Sequence, residues 1–239
     1  MPAEPRPAVR RLTALLLLAA APAVARPLVA LDIGHFHDKP GASSARGVPE
    51  FNFNLILAQA VAAELARTGA DLRLIGADGR ADDLQARAMA AAGAQLLLSI
   101  HHDSVQPHYL RPWRQGGETR QYSDRFRGFS LFVSRRNPQE ARSLHCAARI
   151  GEALRGAGFA PTRHHAEPIE GERRPWADFD AGVHYHDGLV VLRVAQVPAV
   201  LLEAGVIANR NEERLLSQPG RRARMAAAIA RGILACLPQ

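Results

Sequence analysis

Short apolar runs alternate with amphipathic segments along residues 27–235, and this alternation predicts an α/β fold. Each apolar run is four to seven residues long and ends at a glycine or a polar group, which is typical of strands covered on both faces. The predicted strands are 27–33, 72–75, 95–100, 129–134, 189–194 and 199–202. The longer segments repeat apolar residues at helical spacing, and the predicted helices are 51–65, 82–92, 137–154 and 212–235.

The first elements follow the order βαβαβ, which favours parallel pairing of the strands. We therefore expect a single α/β domain whose twisted, mostly parallel sheet of about six strands is flanked by helices on both faces. Two long polar stretches interrupt the pattern, at 105–127 and 160–188, and both are predicted to be loops. Loops of this length inside a compact domain are usually functional or mobile.

The N-terminus has the pattern of a secretory signal. Three arginines precede an almost wholly apolar run at 12–20, and the small residues at 23–25 suit cleavage by signal peptidase. The apolar run is too short to cross a bilayer. We expect residues 1–25 to be removed, leaving 26–239 as a catalytic domain in the periplasm or secreted, with no stable membrane anchor.

Composition adds little to this picture. The 239 residues are 47% hydrophobic, enough for one sizeable core, and the formal net charge is +7. Lys39 is the only lysine among 30 basic residues, so we attribute the charge to an arginine-rich solvated surface and expect no nucleic-acid partner. Cys146 and Cys236 can form one disulfide in an oxidising compartment, but a domain of this size does not require it.

Ionisable side chains lie where three predicted strands end. His35 follows the first strand, His101 follows the strand at 95–100, and Glu203 follows the strand at 199–202. Ligands of open α/β sheets bind beyond the carboxyl ends of the strands, so these groups are expected to share one edge. Glu50 begins the helix that returns from the His35 loop, and its carboxylate is expected to face the same edge.

Two imidazoles and one carboxylate suit Zn²⁺ and leave a fourth position for water. Such an ion lowers the pKa of water from about 15.7 to near 7 and makes hydroxide available for attack on a carbonyl. A second carboxylate that is not a ligand is needed to take the proton and pass it to the leaving amine, and Glu203 is the natural candidate.

The chain resembles the zinc-dependent N-acetylmuramoyl-L-alanine amidases of the AmiA/AmiB/AmiC type, which cut the amide between N-acetylmuramic acid and L-alanine in peptidoglycan. The matching motifs are Leu31–His35, Pro40–Ala42 with Glu50, Ser99–His101, and Leu189–Arg193 leading into Pro198–Gly205 with Asn209. The resemblance spans about residues 28–235. It implies one zinc ion per chain, with His35, Glu50 and His101 as ligands and Glu203 as general base.

The chain departs from the family pattern at two motifs. Phe36 and His37 replace two glycines, and Asp103 replaces an asparagine. His102 is a competing ligand, but neighbours on a strand point to opposite faces, so we prefer His101. For His37 two interpretations stay open: support of the site or substrate contact, and an exposed loop histidine.

Residues 160–188 also allow two interpretations. In some relatives an inserted helix blocks the zinc until an activator protein removes it, and Glu167, Glu170 or Glu172 could supply a blocking carboxylate here. We favour a surface loop that shapes the glycan groove. Peptidoglycan is the expected partner, with an activator protein as a second candidate.

Two other functions remain as alternatives. A zinc carboxypeptidase or other amidohydrolase would use the same ligand types on a different substrate. A non-catalytic binding module is disfavoured because all four expected site residues are present.

Overall fold

The computed structural model describes Met1 and residues 26–238, and the predicted signal at 1–25 lies outside the described residues except for Met1. The elements in chain order are β1 (Leu28–Ile33), α1 (Glu50–Ala66), β2 (Asp71–Ile75), α2 (Leu84–Ala90), β3 (Leu96–Asp103), β4 (Arg111–Gln115), β5 (Glu118–Tyr122), β6 (Ser130–Val133), α3 (Glu140–Gly156), β7 (Trp176–Asp178), β8 (Val183–Tyr185), α4 (Val190–Val194), β9 (Ala199–Val206), α5 (Arg210–Leu216) and α6 (Pro219–Cys236). No helix within 26–238 is long and apolar enough to span a membrane.

The central sheet has seven strands in the order β2-β1-β3-β9-β6-β8-β7. The pairs β1–β2, β1–β3, β3–β9 and β6–β8 are parallel, whereas β6–β9 and β7–β8 are antiparallel. The prediction of a mostly parallel sheet in one α/β domain is confirmed. The sheet is wider than predicted because β7 and β8 extend its edge.

Helices cover both faces of the sheet, which explains the continuous apolar runs of its strands. One face carries Leu31, Leu98 and Leu202 into the larger core, which includes buried side chains from α1, α3 and α6. The other face carries Leu97 and Leu201 into a smaller core beneath α2 and α4. Successive residues of β3 and β9 therefore alternate between the two cores.

Four segments have a different secondary structure from the one predicted. Residues 189–194, predicted as a strand, form the short helix α4, which packs Val191 and Leu192 into the smaller core. The predicted loop at 105–127 contains the hairpin β4–β5, and the predicted loop at 160–188 contains β7 and β8. The predicted helix at 212–235 is divided into α5 and α6.

The strands β3 and β9 are longer than predicted. They were expected to end at Ile100 and Leu202, but β3 continues to Asp103 and β9 to Val206. The parallel register pairs His101 with Glu203, so the two side chains lie next to each other on the same face of the sheet.

A disulfide joins Cys146 of α3 to Cys236 of α6, across 90 positions of sequence. The two helices pack closely here, because Gly232 of α6 lies against the backbone of Ile150 where any side chain would clash. The bond therefore ties the C-terminal helix to the middle of the chain.

We expect the double substitution Cys146→Ser and Cys236→Ser to lower the free energy of unfolding by about 2–4 kcal/mol, because the unfolded chain regains the freedom that a long cross-linked loop removes. Urea unfolding of the two proteins measures this difference. Reductant should destabilise the unsubstituted protein and leave the double variant unchanged. Equal stability of both proteins would contradict a stabilising role.

Candidate metal centre and catalytic edge

The structure brings His35, Glu50 and His101 together at the carboxyl edge of the sheet. Glu50 Oε2 lies 3.0 Å from His35 Nε2, and Glu50 Oε1 lies 3.1 Å from His101 Nδ1. One ligand atom from each residue lies within 4.8 Å of those of the other two. Three segments that are far apart in sequence thus present two imidazoles and a carboxylate to one point.

The Glu50 carboxylate is buried and fixed by its neighbours. The backbone N–H of Ala42 donates to Oε2 at 3.0 Å, and the backbone N–H of His102 donates to Oε1 at 3.2 Å. Burial alone would raise the pKa of Glu50, but hydrogen bonds and charges from His101 and His35 hold it well below its usual range. The group is therefore ionised, as a metal ligand must be.

Asn54, one turn further along α1, connects Glu50 to two other parts of the chain. Its side-chain amide donates to Glu50 Oε1 and to the Gly34 carbonyl, both at 3.1 Å. Its carbonyl oxygen lies 2.8 Å from His102 Nδ1, which must be the donor because that oxygen only accepts. Asn54 therefore fixes both the carboxylate and the turn before His35.

His102 lies on the opposite face of β3 from His101. It is buried, and burial lowers its pKa to about 4, so its imidazole is neutral at pH 7. It orients Asn54 and does not join the His35, Glu50 and His101 cluster. His37 is exposed and stacks edge-on against Phe51, with ring centroids 5.1 Å apart.

The backbone at His35 has a φ of +69°, a left-handed conformation that is uncommon for residues other than glycine. Arg87 of α2 holds this turn by donating to the carbonyls of Ile33 and His35. Its guanidinium also pairs with Asp32 at 2.7 Å, and both charged groups are fully buried. A buried ion pair beneath the sheet edge thus supports the strain at His35.

Sequence reasoning missed Arg87 and Asn54. Each lies inside a helical pattern, where a polar residue normally faces solvent, and no spacing marks it as a partner of a distant residue. The burial of Arg87 is what marks it as important, and burial depends on the tertiary fold, so the sequence does not reveal it.

Gly41 closes the side of the cluster nearest Glu50. Its φ is +82°, and a Cβ atom at this position would overlap Glu50 Oε2 and the ring of His35. The absence of a side chain at Gly41 therefore keeps the space in front of the two donor atoms free.

Glu203 projects from β9 beside His101. Its Oε2 is buried and has no hydrogen-bond partner among the described residues. Burial raises the pKa of Glu203 well above its usual value, and the negative charges of Asp103 and Glu50 raise it further. An unpartnered carboxyl group with a raised pKa at the edge of a site is typical of a catalytic acid or base.

Two cavities adjoin these groups. One, of about 340 Å³, is lined by His35, His101 and residues of α4. The other, of about 230 Å³, is lined by Glu203 and by Asp103, His165 and Glu172. Leu189 and Leu201 line both cavities, so Glu203 and the His35, Glu50 and His101 cluster lie on neighbouring openings of one sheet edge.

The carboxylates of residues 160–188 point elsewhere. Glu167 accepts a hydrogen bond from Tyr109, and Glu172 pairs with His165 at 3.0 Å. Within the described residues, neither Glu167, Glu170 nor Glu172 forms an ion pair with the cluster's histidines. In this structure the segment therefore does not place a blocking carboxylate on the cluster.

Residues 29–235 match the Amidase_3 family, N-acetylmuramoyl-L-alanine amidase. The chain is 29% identical to N-acetylmuramoyl-L-alanine amidase AmiA of Salmonella typhimurium over 231 residues, which is 87% of this chain and 75% of AmiA. Its fold is similar to that of Ami1 from Mycobacterium smegmatis, with a TM-score of 0.69 and 23% identity over 89% of this chain and 97% of that one. It is also similar to the CwlD amidase from Clostridioides difficile, solved in complex with the GerS lipoprotein, with a TM-score of 0.65 and 18% identity over 88% and 98% of the two chains.

The family match decides between the functional interpretations, because it spans most of the chain. It favours an amidase over the two alternatives, a carboxypeptidase and a non-catalytic binding module. The chain belongs to the Amidase_3 family and is a hydrolase of the N-acetylmuramoyl-L-alanine amidase class.

Proposed function

We propose that this amidase cleaves the bond between N-acetylmuramic acid and L-alanine in peptidoglycan, with one Zn²⁺ held by His35, Glu50 and His101 and with Glu203 as general base. The observation that carries the proposal is the convergence of two imidazoles and an ionised carboxylate beside a carboxyl group that has no partner.

The residues fit a catalytic zinc ion. Three protein ligands of the His₂Glu type leave one position for water or substrate. The backbone N–H groups of Ala42 and His102 and the amide of Asn54 orient the carboxylate, as partners of metal ligands generally do. When bound, zinc lowers the pKa of water to near 7 and polarises a carbonyl oxygen.

Glu203 performs the proton transfers in this proposal. Its unpartnered oxygen accepts a proton from the attacking water and then donates it to the nitrogen of L-alanine as the C–N bond breaks. The raised pKa of Glu203 suits the second step, because the carboxyl group, once protonated, holds the proton until it is transferred to the leaving nitrogen.

A polymeric substrate must reach the site from solvent. The side chain of His35 is 32% exposed and that of His101 is 18% exposed, whereas that of Glu50 is only 5% exposed. The two histidines therefore face the opening, and the carboxylate forms its floor. This arrangement leaves the two histidines accessible to an amide bond that arrives from solvent.

The proposal places the enzyme outside the cytoplasm. Members of this family act on the cell wall, and the pattern of residues 1–25 provides for export to the periplasm or the medium. The disulfide between Cys146 and Cys236 agrees with an oxidising compartment. CwlD was solved in complex with another protein, the GerS lipoprotein, which supports keeping a protein partner, such as an activator, as a candidate for this chain.

Replacing Glu203 by Gln should lower turnover roughly 10²-fold or more, because the group that moves the proton is lost. The assay is release of free stem peptides from purified sacculi, with intact glycan strands left behind. Zinc content should not change. The exposed Glu118→Gln variant is the matched control and should keep full activity; undiminished hydrolysis by the Glu203 variant would refute the assigned role.

Replacing His101 by Ala should remove one equivalent of zinc and abolish hydrolysis, because two ligands do not hold the ion. Metal analysis after dialysis measures the loss. The His37→Ala variant, which alters an exposed histidine of the same region, should keep its zinc. Retention of all bound zinc by the His101 variant would show that the ion is held elsewhere.

Replacing Asn54 by Ala should weaken zinc binding about 10–100-fold, the usual cost of losing a group that orients a ligand. Competition with a chromophoric chelator gives the dissociation constant. Asn52→Ala, an exposed change on the same helix, is the control and should bind zinc normally. Equal affinities of the two variants would count against the positioning role of Asn54.

A further inference from the structure

A second group of metal-ligand atoms lies beside the cavity that Glu203 lines. Asp103 Oδ2 is 3.1 Å from His164 Nε2 and 3.0 Å from His165 Nε2. The three ligand atoms all lie within 4.8 Å of one another. We call these residues the Asp103 cluster, and it shares no residue with the His35, Glu50 and His101 cluster.

The remaining polar atoms of the Asp103 cluster are already engaged. His165 Nδ1 lies 3.0 Å from Glu172 Oε2, and His164 Nδ1 lies 2.8 Å from the hydroxyl of Thr162. A carboxylate only accepts, so His165 donates from Nδ1 to Glu172, and Nε2 is the ring nitrogen that faces Asp103 and can bind a metal ion once it is deprotonated. A carboxylate behind a histidine is the usual support of a metal-bound imidazole.

The three converging atoms are buried and have no partner of acceptable hydrogen-bond geometry within the described residues. His164 is 3% exposed and His165 is 9% exposed. Buried polar atoms without partners are costly and rare in native proteins. One carboxylate oxygen and two imidazole nitrogens that converge in this way can be satisfied by a shared cation, or by protons on the imidazoles.

We propose that Asp103, His164 and His165 bind a second divalent cation, of which Zn²⁺ fits the two nitrogen donors and one oxygen donor best. In a tetrahedral zinc site, bonds of about 2.0–2.1 Å place the donor atoms about 3.3 Å apart, close to the separations seen here. The ion would satisfy all three buried atoms at once.

The competing interpretation is an ion pair without metal. In that arrangement His165 is protonated, and its Nε2–H donates to Asp103 Oδ2 across the 3.0 Å separation. The two interpretations differ in the number of metal ions that the chain binds.

A cation at the Asp103 cluster would fasten residues 160–188 to the sheet. Asp103 is the last residue of β3, whereas both histidines lie on the short helical turn His164–Ala166. The cavity that contains Asp103 and His165 also contains Glu203. The second ion would therefore fix the wall of the cavity in which the proposed general base lies.

The test is a count of bound metal. Chelator-treated mature protein, dialysed against zinc, should bind two equivalents. Asp103→Asn and His165→Gln, which preserve size, should each bind one, and His101→Ala should also bind one. The exposed His145→Ala variant is the control and should bind two. A single equivalent in the unsubstituted protein would overturn the proposal, as would two equivalents in both Asp103→Asn and His165→Gln.

A second test uses the unsubstituted protein, so it does not depend on whether the variants fold. Anomalous scattering at the zinc edge from zinc-soaked crystals should show a peak about 2.0–2.1 Å from the Nε2 atoms of His164 and His165. Absence of that peak, in crystals that show zinc at His35 and His101, would overturn the second site and leave the first intact.

Discussion

The carboxylate of Glu50 accepts hydrogen bonds from three separate segments of the chain: the loop at Ala42, the helix at Asn54 and the strand at His102. It also lies within 3.1 Å of both histidines of the cluster. Its burial is tolerated because each oxygen has donors and because the amino end of α1 favours a negative charge. The site depends on this group, because its contacts join the His35 loop, α1 and β3.

Much of this arrangement could be predicted from the sequence. Buried parallel strands are continuous apolar runs, so their ends, and the ionisable residues after them, are visible without a structure. Alternation along β3 separates His101 from His102, and the structure places them on opposite faces. Periodicity failed at 189–194, because a helix of five residues buried on one side has the same apolar pattern as a short strand.

The contacts between distant residues could not be predicted. Arg87 reaches the carbonyls of Ile33 and His35 from α2, and its position follows from the packing of that helix on the sheet. His164 and His165 read as part of a polar loop, and nothing in their spacing relates them to Asp103, about sixty positions earlier. Such pairs are set by the tertiary fold, and only the coordinates reveal that their unsatisfied atoms meet.

The distribution of charge along the edge links the two clusters. Glu50 lies at the start of α1, Asp103 at the end of β3 and Glu203 on β9. Burial is the main cause of the raised pKa of Glu203, and repulsion from the charges of Asp103 and Glu50 adds to it. Arg87 does not offset this repulsion, because its guanidinium is paired with Asp32. A divalent ion at either cluster would offset this repulsion in the folded state only, since the ligands are far apart in the unfolded chain. Metal binding and folding would therefore be coupled, because an ion held at either cluster would stabilise the folded domain.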